Sequence, residues 1–393
     1  MITNNSISFI IPTRNRSEFI DPLIKRCLEI ENSIIIISDN SDNKIIDKII
    51  QKYDSDRIIY NYYSEKLSVI DNFNLALNFV KTSHVCYLGD DDIIGPGFEE
   101  AFRIQIENHI DVLNVYNINR PLQYFWPNNP SAHWGDLGGM TFFGNFGGGF
   151  IKNSIIESRK KALSKLGEGP LGLPRIYLGI VSIELINKIK SKYGDLFGGY
   201  SPDIYSSLLI SQECKNPYFI DYPIIVPGAC SKSTSSARAS RSDVGGLLDN
   251  DHLGRFQKIF WDKKIPEFYS PYNIWASTAL IALKKIDIEL SIYKVTHIYA
   301  LNFLNSRHES SKILDSMKYL SNACQTNLLR IYISTFSNLI NLFFIKLSNY
   351  LKLLFIRRPG ASKFVIKNNI TSYDAYVSLK DFLSRKKIDV KEP

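Results

Sequence analysis

The sequence predicts an α/β fold: a mostly parallel sheet with helices on both faces, followed by a mainly helical C-terminal region. Three observations carry this. Short, almost wholly apolar runs such as Ser33–Ser38 recur through the first hundred residues, and segments with apolar residues at helical spacing separate them. From Tyr272 onward glycine becomes rare and the apolar residues keep a helical period. Strands without polar alternation are buried on both faces, and strand–helix alternation builds a parallel sheet.

The elements follow in order. Ile7–Ile11 reads as a strand closed by Pro12, and Ser17–Ile30 as a helix that places Phe19, Ile20, Leu23, Ile24 and Cys27 on one face. Ser33–Ser38 is a buried strand ending in the polar turn Asp39–Asn43. A helix (Lys44–Tyr53), a strand (Arg57–Tyr62), a helix (Val69–Lys81) and a strand (His84–Leu88) come next. Residues 121–150 are rich in Pro, Gly, Asn and aromatics, and helices are expected over Ser154–Leu166 and Ser182–Tyr193. In SPDIYSS, Pro202 suits a first helical turn and puts Asp203 near the start of an apolar helix. Gly228–Gly246 is Ser-rich and reads as a loop. The expected organisation is 1–115 and 116–270 as two halves of one α/β unit, with 271–393 as the helical region.

Composition narrows the function classes. The 393 residues are 45% hydrophobic and 22% charged, which excludes a disordered or fibrous chain. The five cysteines are never spaced as C-x-x-C, which argues against a disulfide framework or zinc site and for a reducing compartment. No basic segment followed by an apolar stretch opens the chain, so no signal peptide is expected. No run of about 18 or more apolar residues is present, so no membrane span is expected either. The formal charge of +8 comes from dispersed basic residues without a nucleic-acid-binding motif.

In parallel sheets ligands bind beyond the carboxyl ends of the strands. The polar clusters Thr13–Arg16, Asp39–Asn43 and Asp90–Asp92 each follow a strand and should converge on one crevice. Three adjacent carboxylates repel one another unless a cation or solvent relieves them, and hard oxygen ligands suit Mg²⁺ or Mn²⁺. A solvated acidic turn capping the next helix is the plainer alternative. Thr13-Arg14-Asn15-Arg16 offers two guanidiniums and backbone N–H groups to a pyrophosphate, or solvates its loop. Asp39 can accept from a base imide or a ribose hydroxyl, or close its turn.

These residues carry a resemblance. SFIIPTRNR, SDNSDN and DNFNLALNFVKTSHVCYLGDDDIIGPGF, in that order and at that spacing, resemble the nucleotide-binding half of the family-2 glycosyltransferases, which have the GT-A fold. The likeness is clear over residues 6–110 and weaker through Gly148–Ile151, Val181 and Asp203, and it points to bacterial members that build capsule, O-antigen or other surface polysaccharides. It implies that Pro12, Thr13 and Arg14 contact the nucleotide and that Asp39 reads the base, commonly uracil. It further implies that Asp90 and Asp91 serve the ribose and the metal, Mn²⁺ or Mg²⁺, with Asp91 the direct ligand. Gly89 stands where the family often has Asp. Lys66 and Asn74 lie where the family often keeps a basic residue and Asn. The implied reaction is an inverting transfer from a nucleotide-diphosphate sugar, commonly a UDP-sugar, to a glycan or lipid-linked glycan, with Asp203 as general base.

Asp195 and Glu213 compete with Asp203 for that role, and His252 is a lone loop histidine placed to approach a metal. Trp126, Trp134 and Tyr200 offer stacking faces for an acceptor, or simply pack. The stretch Leu328–Arg358 is apolar with basic ends, and suits either a membrane interface or packing within the fold or on a second subunit of a homo-oligomer. A cytoplasmic protein, peripheral on the inner membrane, is therefore expected. Two other classes remain: a nucleotidyltransferase, disfavoured because PTRNR has no glycine, and a basic membrane-surface scaffold.

Overall fold

The computed structural model describes residues 3–115, 122–128, 138–143, 146–233, 246–248, 253–256, 258–355 and 363–393. Trp134 and His252, and most of the Ser-rich stretch, lie outside them. The chain opens with β1 (Thr3–Thr13), α1 (Ser17–Leu28), β2 (Ser33–Asp39), α2 (Ile45–Ile50), β3 (Ile58–Tyr62), α3 (Val69–Ala76) and β4 (Thr82–Tyr87). It continues through β5 (Ile93–Ile94), α4 (Phe98–Glu107), β6 (Val112–Val115), β7 (Gln123–Phe125), β8 (Gly139–Phe143), β9 (Phe150–Lys152) and α5 (Ile155–Ser164). Then come β10 (Gly179–Ser182), α6 (Ile183–Tyr193), α7 (Pro202–Glu213), β11 (Pro217–Ile220), β12 (Ile225–Val226) and β13 (Gly228–Ala229). The last elements are α8 (Pro271–Lys285), α9 (Ile292–Asn305), α10 (Ser310–Ala323), α11 (Leu328–Phe355), β14 (Lys363–Lys367) and α12 (Ser372–Lys386).

The central sheet has eight strands in the order β3-β2-β1-β4-β10-β6-β11-β9. β3, β2, β1 and β4 are mutually parallel, whereas β10 runs antiparallel between β4 and β6. Because successive side chains alternate across a strand, the apolar runs fill both faces. Ile10, Ile36, Val85 and Tyr87 join one core, while Ile7, Phe9, Ile11, Ile35 and Ile37 join the other. Local chemistry sets the helix starts. Ser68 caps α3 in a capping box with Asp71, Ser182 caps α6, and Pro202 and Pro271 open α7 and α8.

The C-terminal region is mainly helical, as expected, but its elements are divided between the two cores. Helices α8, α9 and α10 build on the first core, on the side of α5 to α7. After α11, however, the chain returns to the opposite side. β14 adds to a four-stranded sheet (β13-β7-β8-β14) by antiparallel pairing with β8, from Lys363↔Phe143 to Lys367↔Gly139. Ala375, Tyr376, Leu379 and Leu383 of α12 then complete the second core, alongside Phe19 and Leu23 of α1. A short strand with one polar flank carries too little period-2 signal to be read beside a strongly helical stretch. By length and composition, Leu328–Ser348 of α11 is also long and apolar enough to cross a membrane, because its Ser, Thr and Asn interrupt the apolar run without lowering its average far.

Candidate active site

Strand register brings the predicted clusters together. Thr13 at the end of β1 pairs with Asp39 at the end of β2, which pairs with Tyr62 of β3, and Leu88–Asp92 follow β4 alongside. Asn15, at φ 53°, turns the first loop so that its side-chain amide donates to Asp42 at 2.9 Å while its side-chain oxygen accepts from the Asp42 N–H at 3.0 Å. These contacts fasten the loop after β1 to the loop after β2. The cleft between them, about 260 Å³, is lined by Pro12, Thr13, Arg14, Asn72, Asp90 and Arg255 among others.

Of the acidic loop Asp90 lines the cleft, and all three carboxylates of that loop are buried. Asp90 Oδ2 accepts from the Thr13 hydroxyl at 2.6 Å, and its Oδ1 lies 3.1 Å from Arg16 Nη1. Arg16 Nη2 lies 2.7 Å from Asp91 Oδ2, which also accepts from the Cys230 N–H at 3.1 Å. Burial pushes the Asp90 carboxyl up to about 7, with Arg16 pulling it down and Asp91 pushing it further up. Burial likewise drives Asp92 well above the ordinary carboxylate range. Asp92 faces backbone, accepting from the N–H groups of Gly89 at 2.6 Å and Gly228 at 2.7 Å.

Two glycines make this packing possible. A Cβ on Gly228 would sit 1.8 Å from the Asp91 carbonyl oxygen. One on Gly89 would fall 2.7 Å from the Tyr177 hydroxyl and 3.0 Å from Asp91 Oδ1, so a side chain there would crowd both. Pairing of β12 with β5 carries Gly228 and Cys230 up to the acidic loop, and Trp126 Nε1 donates to the Asp91 carbonyl at 2.9 Å.

Asp203 sits in the first turn of α7, as its Ser-Pro context implies. Burial pushes its carboxyl up to about 6, while the Arg175 guanidinium draws it down. Tyr177 lies in the field of Asp92, Asp91 and Asp203 together, so Asp203 shares one electrostatic neighbourhood with the acidic loop. The competitors are placed elsewhere: Glu213 is ion-paired to Lys188 at 2.8 Å and Lys192 at 2.7 Å, and Asp195 is exposed.

Asp39 is fully buried, its two oxygens accepting from the Ser41 N–H and the Tyr60 hydroxyl, both at 2.9 Å. Lys66 is exposed and does not line the cleft, although its neighbours Leu67 and Ser68 do. Asn74 is also away from it: its amide donates to the Phe197 carbonyl at 3.0 Å and accepts from the Phe197 N–H at 3.2 Å, tying α3 to the segment before α7. The asparagine at the cleft is Asn72, just over half a helical turn earlier, bonded to Ser38. Trp126 and Tyr200 are buried, Tyr200 against Phe256 and Trp261, so neither presents a face to an acceptor.

Arg255 and Asn40 stand out in the structure without having stood out in the sequence: Arg255 Nη2 donates to Asn40 Oδ1 at 2.6 Å beside the cleft. A separation of 215 residues leaves no local signal for such a pair. The donor set fits a hard divalent ion. Asp90 and Asp91 supply two buried carboxylates, which the Arg16 guanidinium bridges in this structure. Among the described residues no group of three or more His, Cys, Asp or Glu forms a metal cluster, so such an ion would complete its shell with phosphate and water.

Residues 8–155 match the family model Glycosyl transferase family 2. Among solved structures, S. aureus TarS 1–349 in complex with UDP-GlcNAc aligns with 85% of this chain and 89% of that chain, at 12% identity and a TM-score of 0.49. The complex of the same S. aureus fragment with UDP aligns over the same shares at 12% identity and a TM-score of 0.42. No curated protein matches significantly. The matched segment holds every residue of the acidic loop and of the Thr13–Arg16 loop, so this part of the chain is similar to a family-2 glycosyl transferase domain.

Proposed function

We propose that this chain is a glycosyltransferase that moves a sugar from a UDP-sugar donor, with inversion, onto a hydroxyl of a growing surface glycan on the cytoplasmic side of the membrane. The observation that supports this best is the cleft lined by Thr13, Arg16 and Asp90 at adjoining strand ends, with Asp91 ion-paired to Arg16 beside it. The uridine donor rests on the family-2 domain and on Asp39, which ends β2 where that family commonly reads uracil. Asp39 is assigned to the base and Pro12, Thr13 and Arg14 to the diphosphate.

Asp91 and Asp90 would hold Mn²⁺ or Mg²⁺, which when bound offsets negative charge on the diphosphate. The acceptor oxygen forms a bond to the anomeric carbon as the bond from that carbon to the diphosphate oxygen breaks. The hydroxyl proton passes to Asp203, whose raised affinity for a proton suits a general base near neutral pH. Arg14 and Arg16 steady the leaving diphosphate.

Thermal-shift titrations with UDP, GDP, CDP and ADP, each with and without Mn²⁺, test this reading. A saturating ligand at about a hundred times its Kd should stabilise the fold by about 2.7 kcal/mol. The expected result is a shift with UDP that depends on Mn²⁺ and is lost in Asp91→Asn, together with loss of transfer. Equal shifts with all four nucleotides, or full transfer by Asp91→Asn, would overturn it.

A further inference from the structure

Helix α11 has its polarity turned inside out. The side packed on α9 carries Ile331, Ser334, Thr335, Asn338 and Leu342, and its contacts are partly polar: the Thr296 and Ser334 hydroxyls lie 2.7 Å apart, and Asn338 donates to Thr296 at 3.0 Å. The opposite side carries Leu329, Ile333, Phe336, Ile340, Phe343 and Phe344, with Phe336 64%, Phe343 59% and Phe344 60% exposed. At 100° per residue these six fall within about a third of the helix circumference, opposite the packed residues. Monomeric soluble proteins rarely show a contiguous apolar strip of this kind unless something covers it.

The charge distribution says what covers it. Residues 325–362, which contain α11, hold five Lys and Arg and no Asp or Glu, whereas the preceding 324 residues hold 35 of each. α11 itself contains no acidic residue, and Arg330 and Lys346 stand exposed at the borders of its apolar strip. Lysines and arginines so placed keep their charge in the headgroup layer while their stems lie along apolar surface. A second copy of the chain would bring the same positive excess to the contact and be repelled.

The topology decides the orientation. The segment after α11 is hydrogen-bonded back to β8 through five residue pairs, so both flanks of α11 belong to one body on one side of any membrane. A spanning helix would need the chain to recross the hydrocarbon with unpaired backbone groups, which lipid does not tolerate. We propose that α11 lies in the plane of an anionic lipid bilayer, its phenylalanines buried at the headgroup boundary, and holds the cleft at the membrane surface.

Co-sedimentation of the full chain with phosphatidylcholine vesicles, with and without phosphatidylglycerol, tests this. The expected result is binding to the phosphatidylglycerol vesicles that weakens at least tenfold in high salt and is abolished in the triple variant Phe336→Ser, Phe343→Ser, Phe344→Ser. Circular dichroism and light scattering of the free proteins should show that variant folded and of unchanged mass. The single variant Phe344→Asp, expected to bind at least tenfold more weakly, serves if the triple variant fails to fold. Absence of binding to anionic vesicles, undiminished binding by the variants, or a wild-type dimer that the variants convert to monomer would overturn the proposal.

Discussion

The acidic loop and helix α11 break the same rule in opposite directions. In the first, three carboxylates are drawn out of water, and a partly buried guanidinium pairs with two of them. In the second, phenylalanines and isoleucines are pushed into it. A buried charge costs several kcal/mol unless it is paired, and an exposed apolar strip forgoes about 25 cal/mol for each Å² left wet. Neither arrangement serves folding, so each is best explained by a missing partner: a polyanion with its counter-charge for the loop, a lipid surface for the helix. The comparison also sorts residues by how they should respond to substitution.

The largest effect is expected at Asp203. Asp203→Asn should lower kcat by about 10²–10⁴-fold while leaving the Kd for UDP unchanged. Its raised folded-state pKa means that the native state holds the proton more tightly than the unfolded chain, so this carboxyl favours folding below about pH 4 and loses that contribution as pH rises through about 6. The variant should therefore melt higher than wild type at about pH 7, and the ascending limb near pH 6 in the wild-type rate profile should vanish with it. Equal losses in nucleotide affinity and rate would make Asp203 a structural residue and break its assignment.

Next comes the close packing around the acidic loop. Gly228→Ala forces a methyl group onto the Asp91 carbonyl and should cost about 1–3 kcal/mol in urea unfolding, with weaker UDP binding. Gly89→Ala should be milder, since its Cβ meets the Tyr177 hydroxyl, and Tyr177→Phe should recover much of the loss in a double-mutant cycle. Failure of that rescue would show that something other than Tyr177 excludes a side chain at Gly89. The smallest change is expected at Asn74, whose amide serves only Phe197: Asn74→Ala should cost about 1 kcal/mol of stability and leave UDP affinity as it was.

How far the sequence could be read follows from these contacts. Thr13, Asp39 and Asp90 were legible because each ends an apolar run, and parallel strands deliver such ends to one edge. The place of Asp203 in the first turn of α7 is legible because a Ser-Pro helix start lies immediately before it. Asn72, and not Asn74, lines the cleft: the two lie about 160° apart on a helix, and sequence spacing alone does not say which turns toward the sheet. Arg255, Cys230 and Gly228 meet the site through chain crossings well over a hundred residues long, for which a single sequence offers no period or motif. Strand β14 was hidden for the same reason, since its partner β8 lies more than two hundred residues earlier.

That last pairing bears on synthesis. The ribosome finishes the sheet edge at β8 and the flank of α1 long before it makes β14 and α12, which cover them. The N-terminal core must therefore wait, partly uncovered, until β14 and α12 have been made, and contacts of such long sequence separation form slowly. The apolar strip of α11 emerges just ahead of these closing elements, so a nearby bilayer can take it up before the last segment folds back. Removing the tail to free the enzyme from lipid would then also strip the N-terminal core of its cover. A variant meant to stay in solution should change the face of α11 and keep the residues beyond it.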